Sequence, residues 1–304
     1  MKKLKVYITG GSGLLSVNLA TLLNKKFEIF LNLHKKNIKI SNTKNVKIDL
    51  MNYSKIKYFF LKYKPDVIIH TAAISNIEYC EMYKKKCKSV NIETTKNISK
   101  VCKLLNIKLI FISTDHLFSG VRKFYKESSK CKPLNYYAKS KLISENFIKK
   151  YLKNYLILRT NFYGIGPKYR SSFSDWIIEN LKKKQKILMF KDVFFTPILI
   201  NDFSQILQCL IKNNINGTFN VSGQERISKY KFAIKLAKIF NYEPNLIEEA
   251  SIKQTRLVRR PLDMSLDNKK IKNVMSKKFK TINQSLRYLK KITNSNYYRK
   301  IKSI

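Results

Sequence analysis

Short, continuous apolar runs alternate with stretches of helical spacing along the first half of the chain. KLKVYIT (3–9) reads as a strand and LLSVNLATLLNK (14–25) as the helix after it, while FEIFLNL (27–33) and VKIDL (46–50) read as the second and third strands. NYSKIKYFFLKY (52–63) is helical, PDVIIHTAA (65–73) opens with a fourth strand, and a helix covers 88–105. KLIFIST (108–114) is a fifth strand, residues 136–153 a helix and YLILRT (155–160) a sixth strand. Runs this uniformly apolar belong to strands buried on both faces, and regular strand–helix alternation makes them parallel. The pattern predicts an α/β fold built on a doubly wound parallel sheet.

The second half is less regular. Residues 171–184, 201–212, 228–240 and 281–292 have helical spacing, with the short strand-like runs KILMF, GTFNV and NLIEEA between them. We expect residues 1–165 to form one domain, joined by elements returning from 190–222, and residues 166–304 to form mainly a smaller C-terminal α/β domain closing over the end of the sheet.

A chain of 304 residues can bury a large core, and its 44% hydrophobic content suits a globular protein. No apolar run approaches the ~20 residues needed to span a bilayer. The start, MKKLKVYITGGSG, runs into glycines too soon for a signal-peptide core. The expectation is a soluble, cytoplasmic protein with no membrane partner. Cys80, Cys87, Cys102, Cys131 and Cys209 form no CxxC and read as free thiols. Three scattered histidines argue against a metal site. A formal net charge of +43 would ordinarily point to nucleic acid. Here 53 of the 62 basic residues are Lys, spread over every helix beside abundant Ile and Asn. That is the look of an AT-rich genome and a solvated basic surface, so no nucleic-acid partner is expected.

Ile8-Thr9-Gly10-Gly11-Ser12-Gly13-Leu14-Leu15-Ser16 follows the first strand and opens the first helix. Gly10 and Gly13 have the spacing of a dinucleotide-binding turn, where glycine admits positive φ and lets a pyrophosphate approach the backbone. Free amides at the helix start then favour the anion. Ser16 replaces the usual third glycine but is small enough for close packing. An NAD site usually has an acid at the end of the second strand. Leu33-His34-Lys35-Lys36 has none, and its basic groups suit a 2′-phosphate, so NADPH is expected, with NADH the alternative. Asp49, after the third strand, is placed either to hydrogen-bond the adenine amino group or to cap helix 52–63.

PLNYYAKSK (133–141) holds Tyr137 and, four residues on, Lys141. With 18 Tyr and this much Lys, roughly three such pairs arise by chance. The chain has four: Tyr53–Lys57, Tyr58–Lys62, Tyr137–Lys141 and Tyr298–Lys302. Position separates them. Tyr137 and Lys141 share one helix face, on the helix that follows the strand ending in Ile112-Ser113-Thr114-Asp115. The other pairs lie on an early helix and in a polar tail, with no motif nearby. Tyr136 has no Lys at that spacing and reads as a packing or substrate-side residue.

A TGxxGxx turn, a Ser/Thr at the fifth strand end and YxxxK on the next helix, in that order, resemble the extended short-chain dehydrogenase/reductase superfamily. Nearer still, STDHLFSG…YKESS…PLNYYAKSKLISE resembles the dTDP-4-dehydrorhamnose reductase family. The similarity continues through LILRTNFYG (156–164) and FTPILINDFSQIL (195–207) to Arg260-Pro261…Ser265-Leu266-Asp267…Lys270, nearly the whole chain. The resemblance implies a Rossmann-type fold with a substrate-binding C-terminal part. It implies catalysis by Thr114, Tyr137 and Lys141, and cofactor contacts from Gly10, Gly13, Leu14, Leu15, His34, Lys35, Asp49, Leu50, Ala72, Ala73, Tyr137 and Lys141. In such a site Tyr137 protonates a carbonyl oxygen as hydride reaches its carbon, Thr114 orients that carbonyl, and Lys141 holds the nicotinamide ribose. Tyrosine titrates near 10, and the Lys141 ammonium, together with the positive nicotinamide of the oxidised cofactor, is expected to lower that value. Asn91 matches an Asn of the family in the helix after the fourth strand.

The superfamily includes reductases, epimerases and dehydratases. The similar dehydratases carry Thr-Asp-Glu at the fifth strand end, and His116 stands at the third position here, which argues against water elimination. The resemblance thus implies an NADPH-dependent reductase of a nucleotide-linked 4-keto-6-deoxysugar, serving polysaccharide synthesis. A sugar-nucleotide epimerase and a non-catalytic NADP-binding subunit, of the kind attached to methionine adenosyltransferase, are the alternatives. His116 falls where the reductases place an aromatic beside the sugar. Arg256, Arg259 and Arg260 form a cluster in a chain poor in Arg, and Arg256 and Arg260 are assigned to the pyrophosphate of the substrate. Trp176, Thr196 and Pro197 are candidates to shape the same cleft. A homodimer is left open.

Overall fold

The computed structural model describes residues 2–275 and 278–304. Seven strands form one sheet: β1 (Lys5–Ile8), β2 (Glu28–Asn32), β3 (Thr43–Val46), β4 (Val67–His70), β5 (Lys108–Ile112), β6 (Tyr155–Arg159) and β7 (Gly217–Asn220). Every neighbouring pair is parallel, in the order β7-β6-β5-β4-β1-β2-β3. GTFNV, read from the sequence as an isolated short run, supplies the outermost strand, β7. The strand order reverses between β1 and β4, and that reversal opens a crevice beyond the carboxyl ends of the strands.

The strands alternate their side chains between two apolar layers, as the pleat requires. Val6, Ile8, Ile29, Leu31 and Ile69 face one layer, completed by Leu15, Val17 and Leu19 of helix α1 (Leu14–Leu23). Tyr7, Phe30, Ile68, Leu109 and Phe111 face the other. Helices α2 (Tyr53–Tyr63), α3 (Thr94–Leu105) and α4 (Tyr136–Tyr151) cover it with Phe59, Phe60, Ile98, Val101 and Ile148. The rest of the chain adds α5 (Phe173–Lys182), α6 (Ile200–Lys212), α7 (Lys229–Phe240) and α8 (Ile282–Ile292). α6 packs against α1, while Ile187–Phe190 and Ile247–Ala250 pair in parallel beside α7. None of the described helices is long and apolar enough to cross a membrane.

β3 departs from expectation. It spans Thr43–Val46, not 46–50, and backbone pairing with β2 stops where Leu33 N–H reaches the Val46 carbonyl at 2.8 Å. Beyond it the Asn32 side chain takes over, accepting from Ile48 N at 2.8 Å and donating to the Ile48 carbonyl at 3.1 Å. The apolar run continues past the strand because Ile48 and Leu50 still pack on the core, but a side chain rather than a ladder holds it. Asp49 does not cap α2. Asn52 does, accepting from Lys55 N at 2.9 Å, while the Asp49 carboxylate accepts from Met51 N at 2.9 Å in the turn before it.

Candidate active site

The glycine turn leads from β1 into α1. Gly10 has φ +61°, and a Cβ there would lie 2.8 Å from Ala72 Cα at the end of β4, so backbone and backbone meet where only glycine fits. Gly13 forms the extended start of α1 with no side-chain cap, which leaves the first amides of the helix directed at whatever lies before them. Ser16 is fully buried, its Oγ 2.6 Å from Thr71 Oγ1, so the serine preserves the close packing of α1 on the strands. Gly10→Ala is expected to lower the unfolding free energy by about 1–2 kcal/mol through the left-handed backbone alone. A denaturant midpoint equal to wild type would contradict that.

α4 starts at Asn135, whose side chain accepts from Ala138 N at 3.0 Å, and this cap fixes Tyr137 in the first turn. Asn91 fixes the other side. Its Oδ1 accepts from Ile74 N at 2.8 Å and its Nδ2 donates to Ile74 O and to Ser140 Oγ, both at 3.0 Å. One buried amide thus ties the loop after β4 to α4, at the residue just before Lys141.

Gly10, Gly13, Leu14, Leu15, His34, Lys35, Asp49, Leu50, Ala72, Ala73, Thr114, His116, Tyr137 and Lys141 all line a single cavity of about 810 Å³. It lies in the crevice at the strand-order reversal. At one end sit the glycine turn and the exposed His34 and Lys35; at the other, the end of β5 and the first turns of α4.

Electrostatics at that far end differ from expectation in one respect. Burial pushes the Tyr137 phenol well above its ordinary value, with a hydrogen bond from Thr114 pulling the other way, and Lys141 is not among the main influences. Burial also pulls Lys141 down to about 7, its ammonium lying 3.9 Å from the centre of the Phe111 ring. Desolvation outweighs attraction for both groups, so the phenol stays protonated at neutral pH. The His116 ring meets Tyr137 edge to face at 6.1 Å, and its buried Nδ1 has no partner. Burial holds His116 below the usual histidine range.

Two candidate arginines part company. Arg256 is exposed and lies outside the cavity lining. Its place in the sequence cluster does not bring it into the cavity lining. Arg260 is also outside the lining, but its guanidinium is paired with Glu78 and its charge acts on His116, which does line the cavity. Trp176 is exposed, and Thr196 Oγ1 accepts from Leu266 N at 3.1 Å, a contact that supports the fold.

Residues 4–294 match the family model described as the RmlD substrate binding domain. The chain belongs to this family. Among solved structures, the chain is similar to dTDP-4-dehydrorhamnose reductase from Bacillus anthracis in complex with NADP, with a TM-score of 0.84 and 25% identity, covering 95% of this chain and 99% of that one. Among curated relatives it is 25% identical over 249 residues to a probable low-salt glycan biosynthesis reductase of Haloferax volcanii, covering 80% of this chain and 83% of the other. It is also 24% identical over 239 residues to methionine adenosyltransferase 2 subunit beta of Bos taurus, covering 72% and 68%.

The structure adds residues that no motif marked. Tyr169, from the loop before α5, donates its hydroxyl to the Ser12 carbonyl at 2.9 Å, and the Lys36 ammonium stands 3.6 Å from the centre of its ring. Arg170, Ser171 and Ser172 follow it into the cavity wall. This strap over the glycine turn comes from the second half of the chain, in a stretch, GPKYRSS, that carries no periodic signal. Asp115, which also lines the cavity, accepts from Asn161 Nδ2 at 2.6 Å.

Proposed function

We propose that the protein is an NADPH-dependent reductase of a nucleotide-linked 4-keto-6-deoxysugar. The observation that carries the reading is the convergence, in one cavity, of a glycine turn, two basic groups at the end of β2 and the set Thr114, Tyr137 and Lys141. The likeness to an NADP-bound dTDP-4-dehydrorhamnose reductase supports the same cofactor class. Residues 1–165 together with β7 would hold the dinucleotide, and the remainder would cover the sugar.

The glycine turn and the first amides of α1 receive the dinucleotide phosphates, His34 and Lys35 its 2′-phosphate, and Ala72 and Ala73 leave room beside them. When bound, the nicotinamide supplies hydride. The chain supplies the proton: Thr114 positions the carbonyl oxygen and Tyr137, kept protonated by burial, donates to it. A phenol with a raised pKa suits an acid acting on a developing alkoxide better than a base, which favours reduction over the epimerase reading. Lys141, partly charged at neutral pH, holds the cofactor ribose and returns a positive charge beside the phenolate left behind.

The likeness to methionine adenosyltransferase 2 subunit beta carries a second reading, a non-catalytic NADP-binding subunit. An assay of 4-keto-6-deoxysugar nucleotides, following NADPH absorbance, separates the possibilities. Stoichiometric NADPH oxidation is expected. Interconversion of sugars without net oxidation points to an epimerase, and NADP binding without turnover of any substrate to the subunit.

A further inference from the structure

The strap that carries Tyr169 and Arg170 has a fixed base and a lightly held tip. At the base, Asp175 Oδ2 accepts from Gly166 N at 2.5 Å and from Ser172 N at 3.0 Å, and the Ser172 hydroxyl donates to the Gly164 carbonyl. A Cβ on Gly166 would collide with the Arg170 carbonyl, so the strap folds back tightly on itself there. From the tip, residues 167–170, the half-buried Tyr169 crosses to the glycine turn. It donates to the Ser12 carbonyl at 2.9 Å, and the exposed Lys36 ammonium stands 3.6 Å from the centre of its ring. One neutral hydrogen bond and one exposed cation–π contact are weak enough to break and re-form often. Arg170 bonds through its backbone, N to the Pro167 carbonyl at 2.9 Å. Among the described residues its guanidinium has neither a hydrogen-bonding nor a carboxylate partner; it is exposed and lines the cavity.

The turn beneath the strap is short of positive charge. Gly11 N and Gly13 N are taken by the Asn32 and Gly10 carbonyls at 2.8 and 2.7 Å. The first amides of α1 remain, but they are dipoles without net charge, and LLSVNLATLL contains no basic residue. The other cations of the cavity lining stand elsewhere. His34 and Lys35 follow β2, Lys86 belongs to the segment whose Ser89 touches Met51, and Lys141 is at the far end. Arg170 is the lining cation next to the turn, and its planar fork suits phosphate oxygens. We propose that the strap is a lid on the bound dinucleotide: Arg170 pairs with the dinucleotide's diphosphate, and the Tyr169–Ser12 contact latches the lid and so sets how fast the dinucleotide leaves. A reductase has to exchange its cofactor in every cycle, and so light a latch permits it. The lid needs only the dinucleotide site, so it works in a reductase and in a non-catalytic NADP-binding subunit alike.

The test measures binding of NADP⁺, NAD⁺ and adenosine 2′-monophosphate by calorimetry, and release of NADPH by stopped-flow fluorescence with excess NADP⁺ as the chase. Arg170→Met is expected to weaken NADP⁺ and NAD⁺ by the same factor, about tenfold. Adenosine 2′-monophosphate, which has no diphosphate, should bind as before. Added salt should narrow the gap between wild type and variant, because the lost pair is exposed. Tyr169→Phe keeps the ring beside Lys36 and removes only the hydroxyl. It should speed NADPH release about three- to tenfold, the worth of one hydrogen bond. Both variants should keep the wild-type Tm, since the base of the strap is pinned by other residues. Equal NADP⁺ affinity in wild type and Arg170→Met, a loss confined to NADP⁺, or a loss that extends to adenosine 2′-monophosphate overturns the pairing of Arg170 with the diphosphate. A release rate unchanged by Tyr169→Phe overturns the latch. The expected losses without NADPH oxidation by any keto-sugar would leave the lid standing and remove the reductase reading; oxidation without those losses would do the reverse.

Discussion

Tyr137→Phe is expected to lower kcat by about 10²–10⁴-fold, the range for removing a positioned proton donor. NADPH binding, measured by fluorescence titration, should be unchanged, because the phenyl ring keeps its place on α4 and its edge-to-face contact with His116. The size of the effect follows from the surroundings. Burial around the phenol raises its pKa and so holds its proton until the carbonyl oxygen takes it. Thr114 cannot replace it: an aliphatic hydroxyl is a far weaker acid than a phenol, so it can hydrogen-bond the carbonyl oxygen but not give up its proton. His116 offers an imidazole that burial keeps neutral. Turnover close to wild type in the Phe variant would remove Tyr137 from the reaction and, with it, the reason to read this cavity as a reductase site.

Arg159→Met is expected to cost about 3–5 kcal/mol of stability, the range for breaking a buried ion pair by removing one partner. Arg159 is 1% exposed and Glu145 is fully buried. The guanidinium donates from Nε to Glu145 Oε1 at 3.0 Å and from Nη2 to Oε2 at 2.7 Å, and its Nη1 reaches the Glu127 carbonyl at 3.1 Å. Without it, Glu145 keeps only Lys149, at 3.3 Å, as a charged partner. A Tm drop of roughly 10 °C is the expected reading for a chain of this length. Arg159→Met combined with Glu145→Leu should recover much of it, because the uncompensated charge goes too. Burial pushes the Glu145 carboxyl up, but the Arg159 bonds more than offset this and hold it below the ordinary value. A lowered carboxylate contributes stability that is complete above the ordinary value of about 4.5 and is lost as pH falls through the folded value. The difference between wild type and Arg159→Met should therefore be full at neutral pH and shrink in acid. Glu145 lies about one turn beyond Lys141 on α4, so this pair also sets the pose of the helix that carries the candidate catalytic residues. A Tm unchanged by Arg159→Met would show that α4 does not depend on it.

Most of the large sheet was legible because a parallel strand buried on both faces has to be apolar throughout, and six such runs stand out against the lysine background. β3 was misplaced by a few residues because apolar packing and backbone pairing do not end together there; Asn32 separates them. The glycine turn and the Tyr137–Lys141 pair were legible from order along the chain, and the family assignment agrees. Spacing alone could not have separated that pair from the three others. The acidification of Tyr137 was an expectation from two charges, the Lys141 ammonium and the oxidised nicotinamide; within the chain itself burial is the larger influence on the phenol, and burial is not written in local sequence. Arg256 was a candidate by proximity in sequence to Arg260, and it is exposed and outside the cavity lining.

By itself, the sequence determined the alternation of strands and helices, the glycine turn and the helix face shared by Tyr137 and Lys141, since each depends on residues a few positions apart. Only the tertiary structure decided which distant segments meet. It laid the Tyr169 strap on Ser12 and seated Glu145 on Arg159. It also brought Arg170 into the cavity wall. The reason is physical. Local pattern reports what each residue prefers, whereas burial, which sets the charge of Tyr137 and Lys141, depends on everything that closes around it.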